Sequence, residues 1–273
     1  MKLLYLIALL GASLGSHGVS AAAPLKVCLL EHNAPYSERA ANSGFDLATA
    51  NAVAVRLGRP LEVVWIANEE KITEIEDSDF PTQRLRKGAC DVLFSVPGPA
   101  RDSLRDMPTL ALGKPYYGAA FELYGKTDEQ RHEIRDLRGA PVAIQAATVA
   151  AFALHLVGAQ PKTSFSPAQA LTALAKGEVE FALLWGPTAN YQLTQHPAPG
   201  FGPVTHYVPP AALAWNEHLA TREADAQLRQ ALDTALAALM ADGSLQKMAT
   251  QNGLRIHPPF ARTYTLGEMN NLR

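Results

Sequence analysis

Trp185, a side chain suited to ligand binding, follows a short apolar run in the second half of this chain. Trp185 comes directly after the apolar residues 181–184, and Gly186 and Pro187 come next. A short apolar run that is closed by a Gly-Pro dipeptide is typical of a buried strand ending in a turn. In open α/β sheets, ligands lie beyond the carboxyl ends of the strands. We therefore expect the indole of Trp185 to face a ligand crevice, with a purely structural core indole as the alternative.

A carboxylate in a similar position could transfer protons. Residues 25–30 indicate a first buried strand, and Glu31 and Tyr36 follow it. A crevice carboxylate is what general acid–base catalysis needs. Outside the N-terminal segment 1–22, however, the sequence contains none of the motifs G-x-S-x-G, H-E-x-x-H, G-x-x-x-x-G-K-[ST] or C-x-x-C. Since Glu31 also has no identifiable partner acid or base, a hydrogen-bonding loop carboxylate is favoured, and we predict that the chain is not an enzyme.

Length, composition and charge restrict the class of protein. The 273 residues are 48% hydrophobic and 18% charged, which is typical of a globular protein with one or two cores. With 24 basic and 26 acidic residues, the net charge is −2, so the chain lacks the basic excess of nucleic-acid-binding proteins. The eight histidines show no ligand spacing. We predict neither a metal site nor a cofactor.

The N-terminus has the layout of a secretory signal. Lys2 precedes an apolar run at residues 3–14, and small residues occupy positions 20–23. An uncleaved anchor is the alternative, but it needs about 20 apolar residues, and this run is shorter. We therefore predict a signal peptide at residues 1–22 and a periplasmic mature protein with no membrane span.

Two cysteines remain after cleavage of that signal. Cys28 lies in the apolar run 25–30, and Cys90 precedes the apolar run 91–96. An even number of cysteines in an oxidising compartment permits a disulfide, and two adjacent parallel strands would bring the pair together. We predict a Cys28–Cys90 disulfide, with two buried free thiols as the alternative.

Strand and helix signals alternate along the first part of the chain. Apolar residues recur at helical spacing over 45–57, and Gly58 with Pro60 would end that helix. Residues 61–66 indicate a second strand, and a helix at about 82–87 precedes the third strand after Cys90. Such alternation predicts a parallel sheet. Further along, the patterns predict a strand at 119–124 and helices following Thr148, at 169–176 and at 224–240.

Three strings of the sequence resemble the type II periplasmic solute-binding proteins. Residues 185–191 read W-G-P-T-A-N-Y and share Pro, Ala and Tyr with the family pattern D-x-P-x-A-x-Y. Residues 115–117 read P-Y-Y, as before the family's crossing strand, and residues 136–145 fit D-L-x-G-x-x-V-x-x-Q. The resemblance implies an α/β fold of two lobes with a ligand cleft between them and two hinge crossings. It places the first lobe at 23–121 and 207–273, and the second at 122–206.

One string is closest to a particular subgroup of that family. Trp185 stands where the amino-acid-binding members have the Asp that holds a ligand ammonium group. The string W-G-P-x-A resembles the subgroup associated with pyrroloquinoline-quinone (PQQ) alcohol dehydrogenases, the accessory proteins of methanol oxidation. Because the carboxylate partner is missing, we predict that free amino acids bind poorly.

The resemblance and the strand positions together define a candidate site. We expect Trp185, Tyr116 and Tyr117 to line one cleft with Tyr36 on its rim, because each adjoins the end of a predicted strand. Residues 146–148 would begin a helix whose free amides form an anion site. Arg101 lies in the loop where relatives clamp a carboxylate, with a solvated loop Arg as the alternative. The predicted ligand-binding residues are Glu31, Tyr36, Arg101, Tyr116, Tyr117, Gln145, Thr148, Trp185 and Tyr191.

Three functions are compatible with these features. The first is a non-enzymatic accessory of a PQQ-dependent alcohol or methanol dehydrogenase, which would bind a small molecule or the dehydrogenase itself. The second is the substrate-binding component of an ABC transporter for a small polar metabolite, with a permease as partner. The third is an enzyme on the same fold, for which Glu31 is the candidate acid or base.

Overall fold

The computed structural model describes residues 22–68, 80–98 and 108–273. The predicted signal peptide, apart from its last residue, and Arg101 lie outside the described residues. None of the helices in the described ranges is long and apolar enough to cross a membrane.

The first lobe begins with a parallel β-structure, as the alternation of strands and helices predicts. Strands β1 and β4 pair in parallel with Leu25 opposite Leu61, and a parallel bridge joins Val27 to Val92 just before β5. Its elements are β1 (Leu25–Leu30), β2 (His32–Asn33), β3 (Ser37–Glu38), α1 (Phe45–Arg56), β4 (Leu61–Ile66), α2 (Pro81–Arg86) and β5 (Leu93–Gly98).

A disulfide joins β1 to the segment that precedes β5. Cys28 on β1 and Cys90 before β5 are bonded, with their Cα atoms 5.6 Å apart. Both side chains are buried, and they pack with Leu85 of α2 and Leu110. The predicted bridge is therefore confirmed.

A long strand carries the chain from the first lobe into the second. Strand β6 (Leu110–Lys126) is 17 residues long, much longer than the predicted strand at 119–124. The second lobe then contains a 3-10 turn (Ile134–Leu137), β7 (Pro141–Gln145), α3 (Val149–Val157), β8 (Gln160–Ser164), α4 (Pro167–Ala175), β9 (Phe181–Trp185), α5 (Gly186–Gln195), β10 (Phe201–Pro203) and a second 3-10 turn (Ala211–Leu213).

A second long strand returns the chain to the first lobe. Strand β11 (Ala214–Arg222) pairs antiparallel with both β5 and β6, which gives the sheet order β5-β11-β6-β9-β7-β8. Strands β7, β8 and β9 are parallel to one another. Helices α6 (Ala226–Ala241), α7 (Ser244–Gln251) and α8 (Leu266–Asn270) complete the chain. This is a two-lobed α/β fold with two crossings, as predicted.

The two largest apolar clusters lie one in each lobe. The first contains Phe45, Leu25 and Leu236, which come from α1, β1 and α6. The second contains Phe181 and Leu154, and it includes Met269 and Leu272 near the C-terminus. Helix α8 thus packs on the second lobe, while the exact lobe boundaries remain a prediction.

One local prediction is wrong. Gly186 and Pro187 do not form a turn but begin helix α5. Proline fits the first turn of a helix because its missing N–H has no partner there and its fixed φ suits a helix. As a result, Trp185 lies at the junction between β9 and α5, where it immediately precedes a helix N-terminus.

Candidate functional site

Trp185 lies between the two lobes. It is the last residue of β9 and stands opposite Phe121 of β6. Its ring is partly buried and packs against the cores of both lobes. The cleft-facing position expected for Trp185 therefore matches its place in the structure.

An aromatic group surrounds this indole. The ring of Trp185 makes edge contacts with Phe121 and Trp215, at centroid separations of 5.6 and 5.7 Å. Trp215 in turn stacks on Tyr264 at 5.1 Å. We call Phe121, Trp185, Trp215 and Tyr264 the aromatic wall. Its members come from β6, β9, β11 and the C-terminal segment, so the wall forms only when both crossings are in place.

A hydrogen bond joins the wall to the first lobe. The indole Nε1 of Trp185 donates to the hydroxyl oxygen of Tyr36 over 3.2 Å. Burial, and next the negative charge of Glu217, raise the pKa of Tyr36 above its ordinary value. The phenol consequently keeps its proton at physiological pH.

Two adjoining cavities open beside Trp185. Their volumes are about 500 and 440 Å³, and they share Pro97, Trp185 and Glu217. Volumes of this size are typical of sites for small molecules. The first cavity is also lined by Tyr36, which lies between β2 and β3, by Asp46 of α1 and by Ser95 of β5. The second is also lined by Phe121, Gln145, Thr148, Val149, Thr188 and Trp215.

Gln145 and Thr148, two of the predicted site residues, line the second cavity between β7 and α3. Thr148 precedes the helix, and its Oγ1 donates to the carbonyl oxygen of Gln145 over 2.8 Å. No side-chain hydrogen bond caps the first amides of this helix among the described residues. An anion site formed by these amides remains a prediction.

Tyr116 and Tyr117 do not line the cleft, and this expectation is wrong. Both side chains are at most 2% exposed and belong to the first-lobe core. The pairing of β6 with β11 shifts by one residue here, since Glu217 faces Tyr117 while His218 faces Pro115. Such a bulge disturbs the alternation of side chains, and both phenols can then point into one core. They contact the site through Ser95 instead.

Ser95 connects these phenols to a buried acid. Its Oγ donates to Oδ1 of Asp46 over 2.6 Å and lies 2.8 Å from the hydroxyl of Tyr117. Its backbone N–H donates to the hydroxyl of Tyr116 over 2.8 Å. Burial raises the pKa of Asp46 to about 7, partly offset by the bond from Ser95. Ser95 has a φ of 51°, so the network holds it in the left-handed region, which is strained for a residue other than glycine.

A second buried acid lies where the two cavities meet. Glu217 of β11 is 3% exposed, and its Oε2 has no hydrogen-bond partner among the described residues. Burial, and next the negative charge of Asp46, raise the pKa of Glu217 to about 8. Neither acid was identified from sequence. The available signals were an acid two residues after Trp215, between Asn216 and His218, and an acid directly after Phe45.

The remaining predicted residues lie elsewhere. Glu31 forms an ion pair with Arg39 and does not line either cavity. Tyr191 of α5 lines a separate cavity with Pro35 and Gly253. Arg101 lies outside the described residues. The structure thus brings together Tyr36, Gln145, Thr148 and Trp185.

Comparison with known families identifies the fold and the class. The sequence profile of the bacterial extracellular solute-binding proteins, family 3, matches residues 25–254. The chain belongs to this family. The matched residues span both lobes, both crossings and the cleft between them. No curated protein matches the chain in a sequence comparison.

Solved structures share the fold at low sequence identity. The L-cystine solute receptor of Neisseria gonorrhoeae, in an unliganded open conformation, has a TM-score of 0.69 at 22% identity, over 85% of this chain and 93% of that chain. The second substrate-binding domain of GlnP from Lactococcus lactis, also in an open conformation, has a TM-score of 0.64 at 18% identity, over 85% of this chain and 95% of that chain. MxaJ from Methlophaga aminisulfidivorans has a TM-score of 0.61 at 20% identity, over 85% of this chain and 99% of that chain.

Proposed function

We propose that this family 3 protein is exported and binds a small molecule in the interlobe cleft, without chemical conversion, as an accessory of a PQQ-dependent alcohol or methanol dehydrogenase. The observation that carries the binding role is the contact between Trp185 and Tyr36. The two side chains come from different lobes, lie beside the shared part of two cavities, and are joined by a hydrogen bond of 3.2 Å.

The binding mode follows from the arrangement of these groups. The aromatic wall supplies apolar stacking area, and Gln145, Thr148 and the buried acids supply a few polar groups that can orient a ligand. Both crossings contribute to the wall, since Phe121 lies on β6 and Trp215 on β11. A hinge motion at the crossings would therefore change the shape of the site directly.

The dehydrogenase role is supported by residue 185. The string Trp185-Gly186-Pro187 resembles the dehydrogenase-associated subgroup, and the indole replaces the Asp of amino-acid binders. MxaJ is among the proteins with the same fold. The alternative is an ABC uptake receptor, which is favoured by the likeness to the L-cystine solute receptor.

The position of Glu31 gives little support to an enzymatic role. Glu31 is engaged by Arg39 on the surface of the first lobe, away from both cavities. A carboxylate outside both cavities is not within reach of a ligand bound in them.

Co-purification from the native periplasm tests the role. A tagged copy of the protein, expressed in its own host and cross-linked before lysis, should recover a quinoprotein dehydrogenase subunit. Deletion of the gene should lower PQQ-dependent alcohol oxidation in periplasmic extracts, and the added protein should restore it. Recovery of a permease instead, with unchanged alcohol oxidation, would support the transporter role and reject the dehydrogenase role.

A further inference from the structure

Glu217 is a buried acid of the cleft that lacks a hydrogen-bond partner at one carboxylate oxygen, as far as the described residues show. It is nearly fully buried, lines both cavities, and its Oε2 has no hydrogen-bond partner in the described part of the chain. A buried polar atom that lacks a hydrogen-bond partner is destabilising. Such groups are rare in folded proteins, and a bound ion or ligand that completes them is one explanation.

Among the described residues, the groups whose charges couple to Glu217 carry no positive charge. These groups are Asp46 on α1, Tyr36 between β2 and β3, and Tyr116 and Tyr117 on β6. One is a second acid, and the other three are phenols. Within the described residues, Glu217 therefore has no internal cation to neutralise it.

The lining of the two cavities has the same character. It includes the carboxylates of Asp46 and Glu217 and, among the described residues, no Lys, Arg or His. Aromatic faces are present beside the acids, since Trp185 and Trp215 lie 5.7 Å apart by ring centroid. Indole rings attract cations through their negative faces, and this attraction grows when water is excluded.

We propose that the cleft recognises a small organic cation of the primary amine type, whose ammonium group binds Glu217 beside the indole rings of Trp185 and Trp215. The inference rests on the proposed binding function and specifies its ligand class. An ammonium group supplies both the charge and the N–H donors that Oε2 lacks. Asp46 adds a second negative charge to the same cavity.

Proton release is a consequence of this mode of binding. The pKa of Glu217 lies near 8, so the unliganded protein at neutral pH carries a largely protonated acid there. A bound ammonium favours the ionised form, and the proton of Glu217 leaves to solvent. Affinity should therefore rise with pH up to about pH 8, while an aliphatic amine stays charged. Asp46, with a pKa of about 7, contributes on the lower part of that range, and the three phenols remain protonated throughout.

Matched probes and variants test the proposal. Calorimetric titrations would compare butylamine, butanol and butyrate, which have the same chain and different charges, on the mature protein. Butylamine is expected to bind about tenfold or more tightly than the other two, and Glu217→Gln should lose about tenfold or more of that affinity together with its pH dependence. Glu223→Gln, an exposed change at the end of the same strand region, should bind butylamine as the wild type does.

Several results would overturn the proposal. Butanol or butyrate binding as tightly as butylamine, or undiminished binding by Glu217→Gln, shows that no cation is recognised there. A large loss of stability in Glu217→Gln would reveal an internal partner for this acid and would have the same meaning. Failure of all three probes also rejects the amine. The binding function itself is judged separately, because a neutral or anionic metabolite retained by the native protein would preserve that function while excluding the cation.

Discussion

The indole nitrogen of Trp185 donates a hydrogen bond to the hydroxyl of Tyr36 over 3.2 Å, and this bond ties the second lobe to the first. Trp185 ends strand β9, whereas Tyr36 follows β1, so the two residues approach only when the lobes face each other across the cleft. The contact makes the relative position of the lobes depend on two side chains that also line the first cavity.

Removal of the Tyr36 hydroxyl should weaken this interlobe contact. Tyr36→Phe keeps the ring and leaves the indole N–H without its partner, so the free energy of unfolding should fall by about 0.5–1.5 kcal/mol. Chemical denaturation measures this loss. Tyr191→Phe removes a phenol from a different cavity and serves as the control. Equal stability of Tyr36→Phe and wild type would show that the hydrogen bond does not hold the lobes.

The disulfide should be complete in the exported protein. Free-thiol titration of the denatured, unreduced protein is expected to find no reactive thiol, because Cys28 and Cys90 are bonded. Replacement of both by Ser should lower the free energy of unfolding by roughly 2–5 kcal/mol, since the bridge closes a long loop. Detection of two thiols in the unreduced protein would reject the bridge.

The buried acids should make stability fall as pH rises. Burial raises the pKa of Asp46 from 3.8 to about 7 and that of Glu217 from 4.5 to about 8. The folded state therefore binds protons more tightly than the unfolded state, and this stabilisation is complete below about pH 4 and is lost towards pH 8. The slope contributed by each group is at most about 1.4 kcal/mol per pH unit.

Two variants separate the contributions of Asp46 and Glu217 to this pH dependence. Asp46→Asn should flatten the curve of unfolding free energy below about pH 7, and Glu217→Gln should flatten it up to about pH 8. The exposed change Asp128→Asn should leave the curve unchanged. If stability is independent of pH over this range in the wild type, the two acids do not titrate as their burial requires.

Free L-amino acids should bind poorly. Trp185 stands where the resemblance to amino-acid binders would place a carboxylate, and a ligand α-carboxylate would meet Asp46 and Glu217 in cavities whose described lining has no basic side chain. Calorimetric titration with the common amino acids checks this expectation. Submicromolar affinity for any of them would contradict it.

Much of the framework could be predicted from apolar periodicity. Strands β1 and β4 have the predicted bounds, and helix α1 ends one residue before the predicted end. Strand β6 was predicted too short because Gly113, Lys114 and Pro115 interrupt the pattern, whereas its pairing with β11 supplies the missing stabilisation.

The candidate site was only partly accessible to sequence reasoning. Position after a strand predicted Trp185 and Tyr36 at the cleft, and the structure has both beside the first cavity. It failed for Tyr116 and Tyr117, because a bulge in β6 at Tyr116 turns both into the core and no local sequence signal indicates it. Glu217 and Asp46 became visible only when tertiary packing showed that both are buried beside the same cavity.

Stability measurements should separate a binding role of Trp185 from a packing role. The ring is partly exposed to the cleft, so Trp185→Ala should unfold cooperatively and lose less than the roughly 3–5 kcal/mol typical of an emptied core position. Phe181→Ala, in the second-lobe core at 2% exposure, is the matched comparison and should show the larger loss. A loss in Trp185→Ala as large as that of Phe181→Ala would mean that the indole is mainly packing.

The most direct test of the cleft as a binding site is native mass spectrometry of the protein purified from its own periplasm. The wild-type protein is expected to carry one small-molecule adduct, and Trp185→Ala, folded and purified in the same way, is expected to carry none. An adduct that persists on Trp185→Ala, or wild-type protein that carries no small molecule when isolated under these conditions, would contradict the proposed site.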